Sequence, residues 1–185
     1  MPYVSLAPRP SLLLRIGGWW SRRDFGKVLE PGLAYGHNTR VLSTYFAMER
    51  SVAKWDALDG ELKQLAVLAA AVRLNCSWCV DFGYWESHER GLSKERIEAV
   101  PRWRETEGVY GERELLVMEY AEAMTATEPE VHEELAHRVI AELGEAAYVE
   151  LTAIVGLENW RSRANRAFGL TSQGFSTACA VPSPR

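Results

Sequence analysis

Two cysteines, Cys76 and Cys79, stand at Cys-x-x-Cys spacing in the stretch Asn75-Cys76-Ser77-Trp78-Cys79. Side chains three residues apart on a helix are neighbours, so the two thiols can close a disulfide and open it again. No other part of the sequence offers obvious redox chemistry. At the head of a helix the first sulfur faces unpaired N–H groups and the positive end of the macrodipole, both of which favour thiolate over thiol. The second lies one turn further in, more sheltered and placed to attack its partner or be attacked by it. One accessible sulfur and one resolving sulfur are what a dithiol oxidoreductase needs. The bland alternative is a pair of small buried residues with no chemistry. A zinc site takes about four ligands. His37, His88 and Cys179 are the available completions, but no second Cys-x-x-Cys or His pair occurs at ligand spacing. Neither a metal nor any other cofactor is expected.

The elements on either side must hold this pair in place. Before it, Asp59 is suited to cap a helix and Glu61 to sit in its first turn, where a negative charge suits the dipole. Leu65, Ala66, Leu68, Ala69, Ala70 and Val72 make that helix apolar nearly all round, so it should be central and buried, with alanines permitting close approach. After the break at Asn75 a second helix should run to about His88. Gly91 is then placed to end it, Leu92 to be its hydrophobic partner and Ser93 to cap a short helix that stops before Pro101. Trp103 to Gly111 is polar and reads as a loop. Leu115, Leu116, Met118 and Ala121 mark another helix ending near Thr125. Thr127 and Glu130 have capping-box spacing, followed by Val131, Leu135, Val139 and Leu143 at intervals of four. Gly144 separates this helix from a last long one, Glu145 to Phe168.

Upstream, residues 1–20 are rich in proline, with Gly17-Gly18 before Trp19-Trp20, and read as an extended arm anchored by its aromatics. Residues 21–52 read as two helices broken at Pro31-Gly32. Nothing alternates with period two. The sequence predicts an all-α bundle of about seven or eight helices in a single domain over 21–170, with a loose tail at 171–185.

Composition sets the outer limits. The chain has 185 residues, nearly half of them apolar, and a net charge of −4, as in ordinary globular proteins. Without a basic run there is no electrostatic reason to expect nucleic acid. Leu12 to Leu14 are interrupted by Arg15 and Gly17, and no stretch approaches the roughly 20 apolar residues of a transmembrane helix. A cytoplasmic protein with no membrane association is expected. In a reducing compartment a Cys-x-x-Cys pair is more often catalytic or metal-binding than structural.

The apolar helix, the two-cysteine turn and the following helix, from about Leu58 to Leu92, resemble the carboxymuconolactone decarboxylase superfamily in its alkylhydroperoxidase AhpD-like, Cys-x-x-Cys branch. More loosely, Glu158-Asn159-Trp160-Arg161 and Asn165-Arg166 resemble the family's closing helix. The resemblance implies an AhpD-like helical bundle, homo-oligomers that are trimers or their multiples, with a dimer also open, and sites near subunit contacts. It also implies a glutamate twelve residues before the first cysteine and a histidine four residues after the second. Those positions hold Gln64 and Gly83. A glutamine cannot act as a general base and a glycine offers no side chain.

Asp81 is the nearest substitute proton acceptor, although a carboxylate so close to the sulfurs would also disfavour the thiolate. Its bland reading is a first-turn residue that suits the helix dipole. His88, nine residues beyond Cys79, falls on roughly the opposite face at about 100° per residue. His37 could approach the thiols from outside the motif, or simply cap or pack. His132 and His137 read as solvated, Cys179 as an exposed bystander, and Trp78 and Trp85 as core residues or the wall of a pocket beside the thiols. The function expected is that of a dithiol oxidoreductase in which Cys76 and Cys79 reduce a hydroperoxide or a partner disulfide. Asp81 acts in it, and Gln64, His37 and Trp78 are possible supports. Its thiol reductant is unknown. The alternatives are a lyase like the carboxymuconolactone decarboxylases, or a helical oligomer whose catalytic residues have decayed.

Overall fold

The computed structural model of the protein describes residues 1–128 and 130–176. Among the described residues every regular element is helical: nine α-helices and one 3-10 segment, with no strand. Seven of the α-helices are eleven residues or longer and two are six-residue pieces. The chain divides into two compact units, one of Met1–Lys54 with Asn165–Thr171, the other of Trp55–Ala164 with Ser172–Arg185. This division groups residues 21–54 with the N-terminal stretch, where the sequence reading drew a boundary at residue 20.

The first unit contains α1 (Leu12–Phe25), α2 (Glu30–Tyr35) and α3 (Thr39–Val52). The stretch read as an extended arm is therefore helical from Leu12, capped by the Ser11 hydroxyl, which accepts the Leu14 N–H. Gly17 does not break the helix. A Cβ there would come within 2.6 Å of the Phe46 ring, so the glycine is a point of close approach rather than a stop signal. Pro31 likewise sits in the first turn of α2, where its missing N–H costs nothing. The break falls earlier, at Gly26 (φ 73°), and Ser21 bridges it by donating to Lys27 O and accepting from Leu29 N.

The second unit is built on α4 (Gly60–Arg73), with α5 (Ser77–Glu89) and α7 (Glu112–Thr125) packed on it. Asp59 caps α4 through the N–H groups of Glu61 and Leu62. Leu65, Ala66, Leu68, Ala69, Ala70 and Ala71 are buried on every side of the helix. Helix α5 ends as its sequence suggests: Gly91 (φ 98°) donates to His88 O and Leu92 to Ser87 O, the paired bonds of a Schellman cap. Ser93 then caps α6 (Lys94–Ala99).

Two expectations in this unit are corrected. Part of the segment read as a loop is the 3-10 turn Val100–Glu105, in which Trp103 is buried and donates its indole N–H to Glu122 at 2.9 Å. The polar pattern there comes from Arg104, which lies over the Trp103 ring and also pairs with Glu122. The second correction concerns α8 (Glu133–Leu143), whose N-cap is His132 and not Thr127. The Glu130 N–H, which a capping box would have used, bonds instead to Ala123 O at 2.9 Å near the end of α7. Gly144 (φ 82°) then leads into α9 (Glu145–Ala167).

One buried ion pair ties α4 to α9. Glu150 accepts the Ala57 N–H at 2.7 Å and pairs with Lys63, which also donates to Trp55 O at 2.6 Å. Removing one member leaves a desolvated charge. Glu150→Ala is expected to lower stability by about 3 kcal/mol in urea unfolding, and Lys63→Met added to it should recover part of that loss.

Candidate functional site

The turn that carries the cysteines begins at Asn75, which at φ 52° is the one described non-glycine residue with left-handed backbone. Asparagine tolerates this conformation better than most residues. It stops α4, with Cys76 N bonded back to Ala71 O at 3.1 Å, and redirects the chain so that Cys76 becomes the N-cap of α5. The Cys76 sulfur accepts the Cys79 N–H at 3.3 Å. The two cysteines form a disulfide, their Cα atoms 5.3 Å apart. Cys76 is 0% exposed and Cys79 8%. The order of shelter is thus the reverse of the sequence reading: Cys76 is the more enclosed residue, its backbone turned back onto the end of α4 by the left-handed Asn75.

Position 83, which lacks the family histidine, is filled by helix packing. A Cβ on Gly83 would lie 2.8 Å from Leu68 Cδ2, so α5 approaches α4 there as only glycine allows. Gln64 is buried on α4 and accepts the Ser87 hydroxyl of α5 at 3.4 Å. It joins the two helices, a role the neutral amide fills without a proton to exchange.

Asp81 is fully buried. Its Oδ1 accepts the N–H groups of Ser176 at 2.7 Å and Phe175 at 3.0 Å, and its Oδ2 those of Gln173 at 2.9 Å and Phe175 at 3.0 Å. The substitute-base expectation for Asp81 thus meets a carboxylate whose two oxygens hold the C-terminal segment by its backbone. Gly174 (φ 72°) bends that segment around it. Residues 172–176 are therefore not a loose tail. Cys179 lies outside the described residues.

The same segment reaches Trp78, a buried residue whose indole donates to Gln173 Oε1 at 3.2 Å. Trp78 stacks on Phe82 with ring centres 5.2 Å apart. Phe175 meets Phe82 at 5.3 Å and Trp85 at 5.6 Å. These four rings make an aromatic wall along the face of α5 that begins between the two cysteines. Trp78 belongs to the sequence-level candidates; Gln173, Phe175 and Ser176 were missed, and only Gly174 between polar residues and a phenylalanine hinted at a turn there. His37 sits in the first unit, exposed, with Nε2 2.7 Å from Ser5 O. His132 and His137 are exposed. On α9, Asn159 donates to Thr125 at 2.8 Å and Glu158 accepts the Ser162 hydroxyl at 2.7 Å. Among the described residues no group of three or more His, Cys, Asp or Glu could hold a metal ion, and no helix is long and apolar enough to cross a membrane.

The sequence model of the carboxymuconolactone decarboxylase family matches residues 40–123, the stretch that holds α4, the disulfide turn and α5. Over its whole length the chain is 32% identical to the uncharacterized protein YnjA of Escherichia coli, covering 98% of that protein. The chain belongs to the carboxymuconolactone decarboxylase family. Solved structures share its fold. An uncharacterized peroxidase-related protein from Ralstonia eutropha with an alkylhydroperoxidase AhpD core superposes with a TM-score of 0.79 at 16% identity, over 93% of this chain and 94% of that one. The debrominase Bmp8, as a cysteine-to-alanine variant in complex with 2,3,4-tribromopyrrole, superposes with a TM-score of 0.80 at 16% identity, over 96% and 95% of the two chains.

Two substitutions test the site's architecture. In an open helix Gly→Ala gains about 1 kcal/mol, whereas overpacking costs about 1–3 kcal/mol. Gly83→Ala should therefore destabilise the protein, and Leu68→Ala combined with it should recover part of the loss. Asp81→Asn places an amide donor among three N–H groups. It should cost about 3 kcal/mol and abolish hydrogen-exchange protection at residues 173, 175 and 176 while leaving α4 protected.

Proposed function

We propose that the protein is a dithiol oxidoreductase that cycles Cys76 and Cys79 between disulfide and dithiol, with the disulfide of a partner molecule as its substrate. The observation that carries this reading is the disulfide at the head of α5, with the Cys76 sulfur already accepting the Cys79 N–H. An incoming thiolate attacks Cys79, the less enclosed residue of the pair. The S–S bond breaks and its electron pair stays on Cys76 as thiolate, held by that N–H and by the positive end of α5. A second thiolate from the reductant resolves the mixed disulfide and releases Cys79 as thiolate. Two electrons have then passed from an external dithiol to the protein. The return half-cycle runs the same exchange against the partner disulfide.

Thiol–disulfide exchange needs no proton donor at the leaving sulfur, because the leaving group is itself a stabilised thiolate. Reduction of a hydroperoxide differs, since the departing alkoxide or hydroxide must be protonated. Gln64 and Gly83 supply no proton, and both oxygens of Asp81 are bonded to backbone N–H groups. That contrast favours the partner disulfide over the hydroperoxide. The hydroperoxide, which the resemblance to the AhpD-like branch implies, is the second substrate to be assayed. The reading places the protein in the cytoplasm, with a dithiol of the thioredoxin class as reductant.

Single-cysteine variants provide the test. With a thioredoxin-type reductant and peptide mass mapping, Cys76→Ser should accumulate a mixed disulfide at Cys79 with the oxidised partner, and Cys79→Ser should react at least tenfold more slowly through the enclosed Cys76. Full activity in both variants would remove the thiols from the mechanism and leave a decarboxylase-like lyase or a non-catalytic role as the better account.

A further inference from the structure

Helix α1 has two apolar faces. Leu14, Gly17, Gly18 and Ser21 turn inward on their own unit. A Cβ on Gly17 would meet the Phe46 ring, one on Gly18 would lie 3.8 Å from Val28, and one on Gly36 would come within 2.9 Å of Leu14. The Ser21 hydroxyl is bonded to Lys27 O and Leu29 N. At about 100° per residue, Leu12, Ile16, Trp19, Trp20 and Arg23 fall on the opposite side of the helix. They face solvent there: Leu12 is 71% exposed, Trp19 56%, and Ile16 and Trp20 49% each. The first unit packs one side of α1 and leaves an apolar side uncovered.

The charges around that face say what fits it. Arg15 and Arg22 run along one flank, exposed and without an ion pair among the described residues. Arg23 lies over the Trp19 and Trp20 rings, 5.7 and 5.1 Å from their centres. Asp24 is the one acid of the helix. The imbalance extends through the unit: Met1–Lys54 with Asn165–Thr171 holds nine Lys and Arg against three Asp and Glu, whereas the rest of the chain holds twelve against twenty-two. A chain that is acidic as a whole thus keeps its uncovered aromatic helix in its cationic part.

We propose that α1 is an interfacial helix that docks the protein on an anionic phospholipid surface, its axis in the plane of the headgroups. Leu12, Ile16 and the two indoles enter the boundary between headgroups and acyl chains, while Arg15, Arg22 and Arg23 stay at the level of the lipid phosphates. The proposal goes beyond the redox reading and does not rest on it. The expectation of no membrane association came from the lack of a spanning run; a helix lying in the surface needs only one apolar face. Other occupants fit less well. Nucleic acid would match the arginines and stack on the indoles, but it offers nothing to Leu12 and Ile16. A second copy presenting the same face would set arginine against arginine.

Co-sedimentation of the purified full chain with phospholipid vesicles tests the proposal. The parent is expected to pellet with vesicles of phosphatidylcholine containing about one-third phosphatidylserine and to stay largely in solution with phosphatidylcholine alone, since each arginine near an anionic surface raises partition about fivefold. Arg15→Gln with Arg22→Gln should lower binding to the anionic vesicles on the order of twenty-five-fold, and added salt should weaken the parent in the same direction. Trp19→Ser with Trp20→Ser should weaken binding at least about tenfold and abolish the shift of tryptophan emission to shorter wavelength that the parent shows on anionic vesicles. All four positions face solvent, so both double variants should keep the parent's helical circular dichroism. A parent that binds neither vesicle overturns the proposal. So does equal binding to both vesicles, or binding that either double variant leaves unchanged. A parent that uses Trp19 and Trp20 to hold an oligonucleotide or a second copy, and leaves vesicles alone, likewise overturns it.

Discussion

The distance between α4 and α5 is set at Gly83, where Leu68 occupies the space that any side chain would need. Much else in the second unit follows from that contact. Because α5 lies so close, the turn joining the helices has to be tight, and the left-handed Asn75 makes it so. The tight turn delivers Cys76 to the N-cap of α5 and buries it, leaving Cys79 as the less enclosed residue. It also fixes which face of α5 is left over. That remaining face carries Trp78, Phe82 and Trp85, and with Asp81 it receives the C-terminal segment.

The disulfide is therefore held by helix packing more than by a surrounding set of proton donors and acceptors. Position 64 joins α4 to α5 through Ser87, and position 83 allows the helices to touch. Both are structural solutions at places where the family pattern has titratable groups. The buried Lys63 and Glu150 lie at the other end of α4 and serve to hold the residues that lead into it.

The central helices were legible in the sequence because their signals are local. Asp59 as a cap, the all-round apolar run of α4, Gly91 with Leu92, and Gly144 each act within one or two turns, and each does so as read. Readings failed where a residue's meaning depends on a distant neighbour. Gly17 was read as part of an extended arm, yet it lies inside α1, where its lack of a side chain serves a contact with Phe46. The shelter of Cys76 depends on how the chain turns back on α4, which spacing alone does not reveal. Asp81 was noticed for its closeness to the cysteines, but its partners lie more than ninety positions further along. No periodicity could have linked it to a segment so short and so far away.

The grip of Asp81 on that segment is made almost wholly through main-chain groups. Three N–H dipoles surround the carboxylate where a cation is more usual, so the attachment acts at short range and dissolved salt has little to screen. It also asks little of the amino acids that supply it. The bend at Gly174, the ring of Phe175 and the Gln173 side chain, which accepts the Trp78 indole N–H, add to that main-chain hold. The segment so held packs Phe175 against the aromatic face of α5.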